Sequence, residues 1–218
     1  MKKLFAFLLA CALCLNAAAA IAWEDYNTPA IGTTLSYAPV TAEASADWYD
    51  AQADIWYRKT YRLGLPEGWS AADPQGVNAY AAWTGADGSL RLEMCHAHTP
   101  YNAAEWSDLL MTEGMDAAMA HTRRAFTAEM RLRLAAAGVP YEDAHIRNYY
   151  VGDLGATWLW QSADGRMLVC CHLQDLVMVF TAEEGAALPS PELFAQILGT
   201  LTMPGFEPIP APSEEAAP

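Results

Sequence analysis

The chain has 218 residues, with 12 Lys and Arg against 26 Asp and Glu, a net charge of −14 at pH 7, and 53% hydrophobic residues. So acidic a balance argues against nucleic acid or an anionic membrane surface as a partner, since both repel it. The length and apolar content are those of one domain that can bury its own core, and five cysteines at these spacings are not a disulfide framework.

Met1-Lys2-Lys3 precedes an apolar run from Leu4 to Leu15, and small residues follow to Ala22. A basic start, a short apolar stretch and Ala20-Ile21-Ala22 as an Ala-x-Ala site predict a secretory signal peptide over 1–22. Cleavage after Ala22 leaves Trp23 first, and cleavage after Ala20 leaves Ile21. The run falls short of the roughly 20 apolar residues of a membrane span. Leu8-Leu9-Ala10-Cys11 also resembles a lipobox, in which Cys11 would be lipidated; the plainer reading is a small apolar cysteine inside a cleaved signal. A membrane enters only through that lipid. Loss of the signal removes Lys2 and Lys3 and no acid, which leaves ten bases against 26 acids, a balance of −16, with Lys59 as the only lysine.

Residues 23–53 lack a clear period and read as an extended or disordered leader, with Trp48 and Tyr49 near its end positioned to dock on the domain. The globular domain is expected over 54–203. Ile55 to Leu65 alternates and is rich in Tyr, a strand that Pro66-Glu67-Gly68 stops. Asn78 to Thr84 and Leu90 to His98 form a hairpin about the turn Gly85-Ala86-Asp87-Gly88. Asn102 and Glu105 make a capping-box-like start to a long helical segment, with a bend near Gly114 and an end at Gly138 and Pro140. Strands follow in close order: His145 to Val151, Gly155 to Gln161, Arg166 to Leu173 and Leu176 to Thr181. Pro191 opens a closing helix with Leu193, Phe194, Ile197 and Leu198 on one face. The tail, 204–218, is rich in Pro, Ala and Glu and is expected to be disordered. Strands in groups rather than alternating with helices predict an α+β fold, a mainly antiparallel sheet packed by helices in a single α/β sandwich domain.

Leu65-Pro66-Glu67-Gly68-Trp69 at the end of an extended strand, with the strand–helix–meander–helix order and the closing Phe194-Ala195-Gln196-Ile197-Leu198 helix, resembles the Mog1/PsbP/DcrB-like α/β/α sandwich proteins of the bacterial envelope, over about Ile55 to Met203. The resemblance implies a binding or assembly role and carries over no catalytic set. The long segment from Asn102 to Gly138 departs from the usual form of that group.

Three residue groups bear chemistry. Trp158 and Trp160 lie two apart on one strand face, and Trp83 is a candidate to join them, as stacked rings that bind a sugar or apolar ligand; the plainer reading is a covered core face. His96 and His98 share a strand face, as do Cys170 and His172, so adjacent strands would gather a tetrahedral metal set; the plainer reading is cysteines in a core strand and histidines near a strand end. Cys95 and either Cys170 or Cys171 can form one disulfide, with Cys95 to Cys171 the pairing that leaves Cys170 to the metal set. Arg123, Arg124, Arg131 and Arg133 form a basic stripe on the long helix, for an acidic partner or for ordinary helix-surface pairs. Neither Gly-x-Ser-x-Gly nor His-Glu-x-x-His occurs, and no motif calls for a cofactor. The expectation is an exported, non-enzymatic binding or assembly protein, secreted or envelope-associated, with a protein or glycan partner.

Overall fold

The computed structural model describes residues 22–23, 32–50, 53–97, 103–138, 144–150, 156–162, 166–172, 176–183, 185–186 and 191–211; for 22–23, 103–104, 144–150, 156–162, 171–172 and 191 it describes the backbone course alone. The lipobox, most of the signal segment, His98, the Asn102 cap and 212–218 lie outside the described residues.

Eight strands form the larger sheet: β1 (Ala22–Trp23), β4 (Ser70–Ala72), β5 (Ala79–Thr84), β6 (Leu90–His96), β7 (Ala144–Tyr150), β8 (Ala156–Ser162), β9 (Met167–His172) and β10 (Leu176–Ala182). Their spatial order is β1-β7-β8-β9-β10-β6-β5-β4. Every neighbour pair is antiparallel except β1 with β7. A smaller sheet has β2 (Val40–Asp50), β3 (Ile55–Leu65) and β11 (Thr202–Ile209), with β3 in the middle. Three helices complete the described fold: α1 (Ala103–Thr112), α2 (Met115–Ala137) and α3 (Pro191–Gly199). The fold is thus α+β, helices packed on mainly antiparallel sheet.

The period of two along β6, β9 and β10 divides the interior. Leu92, Met94, Leu168, Cys170, Leu176, Met178 and Phe180 pack on one side against Tyr61, Leu63 and Leu65 of β3 and Phe194, Ile197 and Leu198 of α3. Cys95, Val169, Val177 and Val179 alternate with them and face Phe126, Met130 and Leu134 of α2. Central strands buried on both faces explain why Met167–Cys171 is apolar at nearly every position. The helical segment breaks at Gly114, φ 91°, and α2 ends on Gly138, whose left-handed conformation lets its amide return to the carbonyls of Leu134 and Ala135.

The structure extends the domain at both ends relative to the expected boundaries. Val40–Asp50, assigned by its composition to the leader, pairs with β3 along its whole length. Upstream of it, Ser36 N and Oγ donate to Gln196 Oε1 at 3.0 and 2.8 Å, and Tyr37 Oη donates to Gly64 O at 2.8 Å. The Pro-rich segment that opens the tail is β11, with Gly205 opposite Thr60 and Ile209 opposite Trp56. An edge strand tolerates proline because its outer amides have no ladder partner.

Candidate functional site

The structure separates the residues expected to act together. Trp83 is 6% exposed within the larger core cluster, opposite Leu92 of β6. Trp158 and Trp160 pair with Cys171 and Val169 through backbone register. Three strands lie between β8 and β5, so Trp83 is about 19 Å away at roughly 4.8 Å per strand and does not extend an aromatic face with them.

Strand β10 intervenes between β6 and β9: His96 stands opposite Leu176, which stands opposite His172. Two strand spacings, about 9.6 Å, separate those backbones. Cys170 is fully buried among apolar residues and is a free thiol. His96 packs against Tyr80 with the rings tilted by 47° and their centroids 4.8 Å apart. Among the described residues no three His, Cys, Asp or Glu gather as a metal-binding group. The expected Cys95–Cys171 bridge is not made either. Cys95 is a free thiol, and Val177 of β10 lies between the two positions, which places them beyond the roughly 7 Å Cα separation a disulfide spans. Burial pushes the Cys95 thiol up to about 12, more than the nearby Arg133 guanidinium lowers it, and burial likewise raises Cys170 well above its usual range.

The basic stripe is also divided. Arg133 is 4% exposed and points into the layer between α2 and the larger sheet. Its Nε and Nη2 donate to Glu129 Oε1 at 2.9 and 2.7 Å, Nη1 to Val77 O at 2.6 Å and Nη2 to His96 O at 3.4 Å. Beside it Glu93 Oε1 accepts from Gln75 N, Gly76 N and both Nε and Nη2 of Arg91, all within 3.1 Å, and Arg91 also donates to Asp73 O. The charges are matched and their hydrogen bonds converge on the 73–77 connection, so this cluster holds a loop in place rather than offering an open site.

The smaller sheet presents chemistry outward. Alternation places Trp48 of β2, Tyr57 and Lys59 of β3 and Phe206 of β11 on one face, continuing the row that begins with the buried Tyr61 and Leu63. Tyr57 and Phe206 stack, 4.5 Å apart and 10° from parallel, and Trp48 lies 6.1 Å from Tyr57 and 6.3 Å from Phe206. The Lys59 ammonium stands 4.5 Å over the Trp48 ring. Phe206 is 50% exposed and Trp48 and Tyr57 are half-buried, so the row runs out of the core into solvent.

The opposite face is a charged ladder. Arg58 Nε and Nη2 donate to the two carboxylate oxygens of Asp47 at 2.8 and 3.0 Å, Arg62 Nε donates to Glu43 Oε2 at 2.8 Å, and Ser45 and Thr60 hydroxyls meet at 3.2 Å between them. The hydrogen bond from Arg58 holds the Asp47 carboxyl below its ordinary range. Sequence reading found the Tyr-rich alternation of β3 and the Trp48–Tyr49 pair. It missed the surface they form, because Phe206 arrives from a segment read as disordered.

No protein-family model matches the chain, and no curated protein matches it.

Proposed function

We propose that the chain is an exported, non-enzymatic binding or assembly protein of the cell envelope, and that it holds a protein partner against the Trp48–Tyr57–Phe206 face of the smaller sheet. The observation that carries this reading is the Tyr57–Phe206 stack with Phe206 half exposed. Rings already packed against one another lose little freedom on binding and offer a large area to desolvate, as aromatic anchors of interfaces do. The role agrees with what the resemblance to the Mog1/PsbP/DcrB-like group implies. A glycan needs an open ring face; the Lys59 ammonium covers one face of Trp48, and Tyr57 and Phe206 cover each other, so a protein surface is the better fit.

A photo-crosslinking amino acid at position 206 tests this in cells that export the protein. One or a few discrete envelope adducts at 206, absent when the label stands at the exposed Met111, are expected. The same diffuse adducts at both positions would overturn the reading.

A further inference from the structure

The backbone of the smaller sheet leaves one edge ready for another strand. Gly64 fixes the parity: its N–H donates to Thr200 Oγ1 at 2.6 Å and its carbonyl accepts from Tyr37 at 2.8 Å, so both groups point away from β2. Alternate residues of a strand direct both groups to the same edge. The even-numbered residues of β3 therefore face the β11 side, and Tyr57, Lys59, Tyr61 and Leu63 bond to Trp48, Ala46, Ala44 and Ala42. The short Ser45–Thr60 side-chain approach agrees, since side chains come closest in pairs without backbone bonds. Thr41, Glu43, Ser45, Asp47 and Tyr49 thus turn their N–H and carbonyl groups outward. Among the described residues no strand pairs with that edge.

The two edges of the sheet differ. β11 carries Pro204 and Pro208 and a register break between Thr202 and Gly205, so its outer edge cannot run a continuous ladder. β2 has neither proline nor glycine, and its 11 residues keep unbroken register with β3. It also holds three acids, Glu43, Asp47 and Asp50, and no base; Arg62 and Arg58 of β3 pair with Glu43 and Asp47 from the inner side, so the acids remain the charges nearest the outer edge. A second copy of β2 laid antiparallel about Ser45 would set Glu43 against Asp47 twice, which like charges oppose.

We infer that the outer edge of β2 receives an extended, basic segment of a protein partner by strand addition, with Lys or Arg at alternate positions facing Glu43, Ser45 and Asp47, and small apolar residues between them beside Ala42, Ala44 and Ala46. The inference rests on the partner-binding reading above and names the partner's chemistry for that same sheet. Cross-strand opposite charges and backbone bonds supply the attraction, and alternation supplies the register.

The test uses the exported chain and an 11-residue peptide of alternating lysine and valine, with a glutamate–valine peptide as control. Amide hydrogen exchange at Glu43, Ser45 and Asp47 is expected to slow about tenfold or more with the lysine peptide, the loss of one edge hydrogen bond being enough to change affinity by up to about that factor. Ala44 and Ala46, already bonded to β3, should change little. Ser45→Pro removes an outward amide without touching the β3 ladder and should weaken binding severalfold, with near-UV circular dichroism unchanged. Equal binding of the glutamate peptide, absent protection at β2, or Ser45→Pro binding like the wild type would each overturn the inference. A dimer in solution that Ser45→Pro dissolves would overturn it in favour of a second copy. Protection at β2 with no adducts at position 206 would remove the aromatic-face reading alone; adducts without protection would remove strand addition alone.

Discussion

Arg133 shows how a charged residue can be read on the wrong side of a helix. Phe126, Glu129, Met130, Arg133 and Leu134 all lie on the buried face of α2. Their spacing of three and four is the helical period, yet two charges interrupt the apolar pattern and make the face read as solvated. The pair stays inside because each partner satisfies the other and Val77 and His96 carbonyls take the remaining donors. Arg133→Met should destabilise the protein by about 3–5 kcal/mol, because Glu129 is left charged and buried. Adding Glu129→Leu should recover part of that loss, the remainder reflecting the two carbonyls without a donor. Urea unfolding of the single and double variants measures both; equal stability of Arg133→Met and wild type would show that the pair contributes nothing. The same limit applied to the cysteines and histidines. Local alternation gave each its strand face, but which strands become neighbours is a non-local choice, and β10 took the place between β6 and β9.

At the scale of elements, β3 was legible to its end residues because its alternation and its stop at Pro66 are written locally. Its partners were not. β2 alternates Ala42, Ala44, Ala46 and Trp48 with Thr41, Glu43, Ser45 and Asp47, but alanine and the acids have weak strand preference, so its small apolar side went unread as a strand face. Gly64 is the point where these elements crowd: a Cβ there would sit 2.7 Å from Pro39 Cβ and 3.2 Å from Thr200 Cγ2. Gly64→Ala should therefore cost about 1–3 kcal/mol by overpacking. Gly32, with nothing within 4 Å, is the control, and Gly32→Ala should stay within about 0.5 kcal/mol of wild type. Thermal unfolding of the two variants separates steric crowding from a general glycine effect; similar midpoints would show that the segment around Pro39 yields freely.

For the whole molecule, grouped strands and helices made the α+β class legible, whereas the division into two sheets depended on contacts between the chain's ends. The acidity of the molecule acts with pH in a definite direction. Arg58 lowers the Asp47 carboxyl and Ser89 lowers that of Asp87, both from an ordinary value of 3.8. A folded value below the unfolded one adds stability above the unfolded pKa, and that contribution disappears as the pH falls through the folded value. Asp47→Asn should therefore be less stable than wild type near neutrality, and the two should converge as the pH drops below about 4. Urea midpoints across that range read the difference; a constant gap at all pH values would exclude a titrating ion pair as its source.

The central position of β3 has a consequence in time. Its hairpin partner β2 precedes it directly, but Thr202 of β11 lies opposite Arg62, 140 residues earlier. A chain emerging from its N-terminus can close the β2–β3 hairpin within microseconds, while the second seam must wait for Thr202–Ile209 to appear and for a long loop to close. The aromatic face is then assembled last, when Phe206 arrives beside Tyr57. Completion of this aromatic face thus reports that the chain has emerged through Phe206, and a chain that stops before it carries the hairpin without that ring.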